Sequence, residues 1–451
     1  MVQNWLRGLV LVCVAGALPG LTGCSRPGPD PELATTEEVS VDSSTPVEEA
    51  EPVEVSSDDW PWWRGPNRNN IAGESAVPVK WTEDENIVWK ASVPGRGHSA
   101  ATVVGENIFL ATADEQAEEQ SVLCLNRADG KQKWQTTIST GGFPPTGQMH
   151  AKSTHATCTV ACDGRQVYVV FLHHQALTVT ALDLDGKKVW EKEVGPFDSK
   201  FGYAPSPALL DNFVYVAGDH QAGGYVAALH RDSGEIVWLK KRPAVATYSS
   251  PVVAEVAGKN QLLISGAEKV TSYDPATGGQ LWEVDGTAEA TCGTLVWEDG
   301  VVFASGGYPQ RETLAVKADG SAEVVWRNDQ KAYVPSMIVS DGSLYAVSDN
   351  GVAYCWDATT GTEQWKSRLD GDVSASPVLA AGNIYVPNES GKCSVFRATP
   401  EKFELVAENQ LGNETFATPS ICGGKIYIRA ASGYGENRKE TLYCIGSSTG
   451  G

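Results

Sequence analysis

The sequence predicts an all-β fold, an eight-bladed β-propeller of four-stranded antiparallel blades whose ring is closed by an N-terminal strand. Three observations predict it. Tryptophans recur at Trp89, Trp134, Trp190, Trp238, Trp282, Trp326 and Trp365, with separations of 45, 56, 48, 44, 44 and 39 residues. From Trp134 onward a turn glycine precedes each, by four residues at Gly130, Gly186, Gly234, Gly278 and Gly361 and by six at Gly320. Earlier in each unit a small-residue strand leads into an aromatic one, as in Ser376-Pro377-Val378-Leu379 followed by Asn383-Ile384-Tyr385-Val386. Four short strands in about 40 to 50 residues make one propeller blade.

Taken in order, the innermost strands are expected to begin near His98, His155, Ala204, Ser249, Cys292, Val334, Ser374 and Phe416, which gives eight units. The last unit runs out after Leu442-Tyr443-Cys444-Ile445 with no fourth strand. Asn86-Ile87-Val88-Trp89-Lys90 reads as a fourth strand with no blade of its own, and pairing the two removes both open edges. Each Trp is expected in the wedge between neighbouring blades, stapling the Gly turn beneath it, where glycine supplies the positive φ that side chains resist.

The termini read differently. Arg7 precedes an apolar run from Leu9 to Leu18, too short to span a bilayer, and then Leu21-Thr22-Gly23-Cys24. This layout predicts a lipoprotein signal peptide over 1–23, cleaved before Cys24, with Cys24 as the lipidation site. Residues 24–59 hold eleven Asp or Glu against the single Arg26 and no aromatic residue, so they are expected to form a disordered acidic tether. The propeller is expected over 60–446 and a flexible tail over 447–451. A formal net charge of -21 offers no basic footprint for nucleic acid. It would also be repelled by anionic lipid, so membrane attachment needs the covalent anchor.

Ten cysteines in an exported chain invite disulfides. Cys124, Cys355 and Cys444 instead occupy equivalent repeat positions, and Cys162 and Cys422 share another, which reads as core packing. No Cys-x-x-Cys-His haem site, P-loop, Gly-x-Ser-x-Gly elbow or His-Glu-x-x-His helix is present.

The units Ala181-Leu182-Asp183-Leu184-Asp185-Gly186-Lys187-Lys188-Val189-Trp190 and Ser272-Tyr273-Asp274-Pro275-Ala276-Thr277-Gly278-Gly279-Gln280-Leu281-Trp282 resemble pyrroloquinoline quinone (PQQ) repeats. Trp60-Pro61-Trp62-Trp63-Arg64-Gly65-Pro66-Asn67 is similar to the entry segment of PQQ-like propellers of the type common in planctomycetes. The likeness covers residues 60 to 446 and is specific for fold, poor for function. It implies one of two groups: the quinoprotein dehydrogenases, which hold PQQ and a metal ion, or the BamB-like lipoproteins of the outer-membrane β-barrel assembly machinery. The lipobox favours the second; many of the first carry an adjacent cysteine pair that this chain lacks.

The reading that follows is a non-enzymatic, monomeric envelope lipoprotein on the periplasmic side of a bacterial membrane, the outer rather than the inner. Its propeller would scaffold envelope proteins of β-barrel assembly, with no cofactor and no metal. The alternatives are a PQQ-dependent alcohol or sugar oxidoreductase with calcium, and an envelope carbohydrate-binding module using Trp60, Trp62 and Trp63. The candidate channel-mouth or partner-contact residues are His98, Phe143, His150, Lys152 and His155: all seven histidines fall in the first three blades, and Phe143, His150 and Lys152 sit in an insertion, Gly141 to Thr154. That insertion reads either as a partner contact or as a lid over the channel.

Replacing Cys24 with Ser is expected to abolish acylation, with the protein moving from the membrane to the soluble fraction in a detergent-partitioning assay.

Overall fold

The computed structural model describes residues 36–41, 53, 56–73 and 76–447. The signal segment, the Cys24 lipidation site and the tail beyond 447 lie outside the described residues. Eight four-stranded antiparallel sheets follow one another around a ring: blades 1 to 7 over 102–140, 161–196, 208–242, 252–285, 296–328, 338–368 and 378–410. Blade 8 takes three strands from 420–446 and its outermost strand from Ile87–Val93, which pairs with Lys439–Gly446 and closes the ring as expected. The innermost strands start later than the sequence suggests, at Thr102 and Ala161 for the first two blades. His98 and His155 therefore lie in the coil that crosses from one blade to the next.

Each Trp ring rests on the following blade. The indole N–H of Trp89 donates to Arg127 O (3.1 Å), Trp134 to Leu184 O (2.9 Å), Trp190 to Arg231 O (2.8 Å), Trp238 to Pro275 O (2.9 Å), Trp326 to Ala358 O (2.8 Å) and Trp365 to Thr399 O (2.8 Å). The glycine beneath a ring is therefore the one that precedes the next blade's Trp: Gly130 lies under Trp89, Gly186 under Trp134, Gly234 under Trp190 and Gly361 under Trp326. Gly278 lies under Trp238, where a Cβ would stand 2.6 Å from the ring, at φ +68°. Bare backbone is what lets the indole lie flat and reach the carbonyl.

Two local features aim the indole. A bulge interrupts the outer strand just before the Trp: Ala181 faces Trp190 but Leu182 faces Lys188, which leaves Val189 as the extra residue. Opposite each Trp stands a small residue, and in three blades it is Cys124, Cys355 or Cys444, all fully buried. Burial pushes each of these thiols up to about 12. All eight cysteines among the described residues are free thiols, in keeping with a packing role for the repeated ones.

A second set of bonds runs around the inner wall. Main-chain N–H groups donate to a hydroxyl of the next blade: Ala100 to Thr159, Thr159 to Ser206, Ser206 to Ser250, Thr294 to Ser336, Ser336 to Ser376 and Ser376 to Thr418, at 2.9 to 3.1 Å. The blade 4–5 seam departs from both patterns. Trp282 turns its N–H to Gln261 Oε1 of its own blade, and Gln261 Nε2 carries the contact to Ala318 O of blade 5. Thr294 Oγ1 accepts from Trp63 Nε1. Gly320, the one turn glycine six residues from its Trp, would meet nothing within 4 Å if given a Cβ.

Gly278→Ala is expected to cost about 1–3 kcal/mol more than Gly320→Ala in urea unfolding, because both strain a positive φ but only the first meets an indole.

Candidate functional site

The chain itself fills one mouth of the channel. Trp60 exchanges main-chain hydrogen bonds with Val103 of blade 1, and Pro61 O accepts from Cys162 N of blade 2. Arg68 Nη2 reaches Leu209 O of blade 3, Arg64 reaches Thr294 O before blade 5 and Met337 O before blade 6, and Asn70 Nδ2 reaches Pro377 O before blade 7. A 13-residue stretch, Trp60 to Ala72, thereby bonds to six of the eight blades. Arg64 is fully buried; burial lowers its pKa to about 9, and main-chain carbonyls, including Arg68 O, ring its guanidinium. Trp60 and Trp62 are 1% and 4% exposed, and Arg68 covers the Trp62 ring at 4.3 Å, so these rings are a plug and not an exposed sugar platform.

The opposite mouth carries the five residues singled out from sequence. Phe143 stacks on His155 with ring centroids 4.0 Å apart, and Gln120 Nε2 holds His155 O at 2.7 Å. His150 meets the edge of Phe201. Lys152 Nζ reaches across the mouth to Glu389 Oε1 of blade 7 at 2.6 Å, and Ser374 Oγ donates to the same oxygen. The insertion is therefore a lid, latched to the far side of the ring. A pocket of ≈ 10 Å³, room for about one water, lies between Pro144 and Met149 of the insertion and Gln120, Cys158 and Phe171 at the first two blades.

His98 stands apart from this group. Its ring stacks on Phe416 at 4.5 Å beside a buried charge network at the blade 8–1 junction. There Arg429 pairs with Glu440 (2.5 Å), Arg438 pairs with the same Glu440 (2.7 Å), and Arg429 Nη1 donates to Ala111 O of blade 1. Burial, then the charges of Arg96, Arg429 and Arg438, hold His98 well below the usual histidine range. So the five residues line one mouth without converging on a point, and among the described residues no three His, Cys, Asp or Glu side chains are grouped to hold a metal ion.

Glu389, Phe416 and the Arg429–Glu440–Arg438 network escaped sequence reading, as did two exposed rings on this face. Tyr308 (60% exposed) and Tyr434 (78% exposed) sit on the loops joining the second and third strands of blades 5 and 8. Those loops lie on the same side of the ring as the lid.

Eight four-stranded blades, six of their seams tied indole to main-chain carbonyl, define a PQQ-repeat-type β-propeller. The chain belongs to the family described as outer membrane protein assembly factor BamB, which it matches over residues 70–199 and 118–367. The BamB of Yersinia pestis is 25% identical over 77% of this chain and 86% of that protein. The match to the Legionella pneumophila BamB is shorter, 21% identical over 32% of this chain and 43% of that protein. In fold, the crystal structure of BamB from Moraxella catarrhalis superposes with a TM-score of 0.59, at 14% identity over 81% of this chain and 98% of that one. A europium-containing methanol dehydrogenase gives 0.63, at 12% identity over 87% and 98%.

His220, 2% exposed, accepts at Nδ1 from Asp198 N and Ala222 N, and burial lowers its pKa to about 4. A histidine whose folded pKa is depressed binds its proton more readily when unfolded, so stability falls as pH drops below about 6.5 and the loss levels off below the folded pKa. His220→Phe is expected to remove up to about 3 kcal/mol of the acid sensitivity between pH 7 and 4, measured by urea unfolding at each pH.

Proposed function

We propose that this protein is a non-enzymatic envelope lipoprotein whose propeller holds partner proteins of outer-membrane β-barrel assembly, acting as a monomer without a cofactor. The observation that carries this reading is that the chain fills both channel mouths itself, with the Trp60–Ala72 plug on one side and the Lys152–Glu389 lid on the other. What is left for binding is the loop surface on a rigid ring, where Tyr308 and Tyr434 offer large, amphipathic and sparsely packed side chains. Family membership supports the same direction. The likeness to a methanol dehydrogenase bears on fold alone, and a PQQ-dependent oxidoreductase would need the lid to open and ligands to be supplied from elsewhere.

Photo-crosslinking residues introduced in cells at Tyr434 and Tyr308 are expected to trap β-barrel assembly proteins, while one at Val189 on the outer rim traps none. Saturable binding of PQQ with calcium by calorimetry, together with dye-linked alcohol oxidation, would overturn the scaffold reading.

A further inference from the structure

The outermost strand of each blade is an edge, with every second N–H and C=O turned outward and unpaired. In blade 3 that strand is Ile236–Arg242, and part of the acidic tether lies against it. Val39 N donates to Leu239 O at 3.1 Å and Leu239 N donates to Val39 O at 2.9 Å, the reciprocal pair of an antiparallel ladder. Glu38 Oε1 accepts from Lys241 N at 3.1 Å, and Lys240 Nζ donates to Ser40 Oγ at 3.3 Å. Val41 packs against the core shared by blades 3 and 4, beside Val237, and Val53 packs against the core shared by blades 2 and 3, beside Ile236. The tether expected to be disordered over 24–59 thus has an ordered stretch at 36–41. The charges are complementary: the acidic Glu37-Glu38 pair lies along a strand carrying Lys240 and Lys241, while Arg242 is turned inward and paired with Asp219.

We propose that the rim of blade 3 is the docking site for the protein's own tether, with Glu37–Val41 adding as a fifth strand, and that this clamp sets how far and in which orientation the ring stands from its membrane anchor. The second half rests on Cys24 being that anchor. From Cys24 to Thr36 the chain spans at most about 40 Å, whereas from Cys24 to the plug at Trp60 it would span about 120 Å. Docking shortens the reach roughly threefold and turns the blade 3 rim toward the membrane.

Hydrogen exchange on the full mature chain separates the two halves. The Leu239 amide is expected to exchange at least tenfold faster in a Val39→Pro, Val41→Asp variant than in the parent, with other blade 3 amides unchanged; equal Leu239 rates overturn the docking. Glu38→Cys with Lys240→Cys is expected to form a disulfide within one chain, and a bond found only between two copies overturns docking in cis. On vesicles, energy transfer from a dye on blade 3 to a lipid dye is expected to fall in the Val39→Pro, Val41→Asp variant. Unchanged transfer, with the protein still membrane-bound, overturns the role in reach. Loss of all membrane binding would instead sink the Cys24 reading and leave the docking result standing.

Discussion

Everything in this ring depends on one repeated contact, the indole of one blade lying on the glycine turn of the next with its N–H on a main-chain carbonyl. A propeller blade is a twisted sheet with two open edges, and alone it cannot bury both faces. The indole covers apolar surface across the seam and satisfies a carbonyl that packing would otherwise strand. Six seams carry the indole-to-carbonyl bond, and in five of them a turn glycine lies beneath the ring; the blade 7 turn under Trp365 has none. The bulge before each Trp and the small residue opposite it serve that contact, the first by turning the ring and the second by giving it room. The hydroxyl links on the inner wall add a directional bond at the narrow end of the same wedge.

Where the contact is missing, other groups stand in. Blade 7 has Ala407 where other blades carry Trp, facing Val395, and Trp81 from the N-terminal segment stacks on Tyr385 of that blade instead, with centroids 6.2 Å apart. At the blade 4–5 seam the Gln261 amide relays between Trp282 and blade 5. At the blade 8–1 seam, which joins the two ends of the chain, Trp89 is backed by the buried pairing of Arg429 with Glu440. A buried pair of this kind is costly to break from one side, and it fixes register where no covalent connection does.

The fold was legible in the sequence because its signal is local and repeated: one Trp, one turn glycine and one aromatic strand per unit, and a stray fourth strand at Trp89. Gly320, two residues farther from its Trp than the other turn glycines, falls at the seam where Gln261 relays the contact. What stayed hidden depends on distance along the chain. Nothing near Arg64 announces that it will meet Met337, 273 residues on, or that Lys152 will meet Glu389. The direction of docking was hidden as well, since a Trp and the glycine four residues before it look like one unit and belong to two contacts. His98, Phe143, His150, Lys152 and His155 share one side of the ring because a repeat position gives height in the ring, and it does not give convergence. The tether was read from composition, and its acidic, proline-containing character masks the Val39-Ser40-Val41 alternation that suits an edge strand.

The plug also has a consequence for biogenesis. Its thirteen residues leave the ribosome before any blade, yet their hydrogen-bond partners extend to Leu379, and Trp89 waits for Cys444. The plug residues are therefore among the last to settle. Until the later blades are made, much of the plug's hydrogen bonding is unmet, so the mouth it fills closes only near the end of folding.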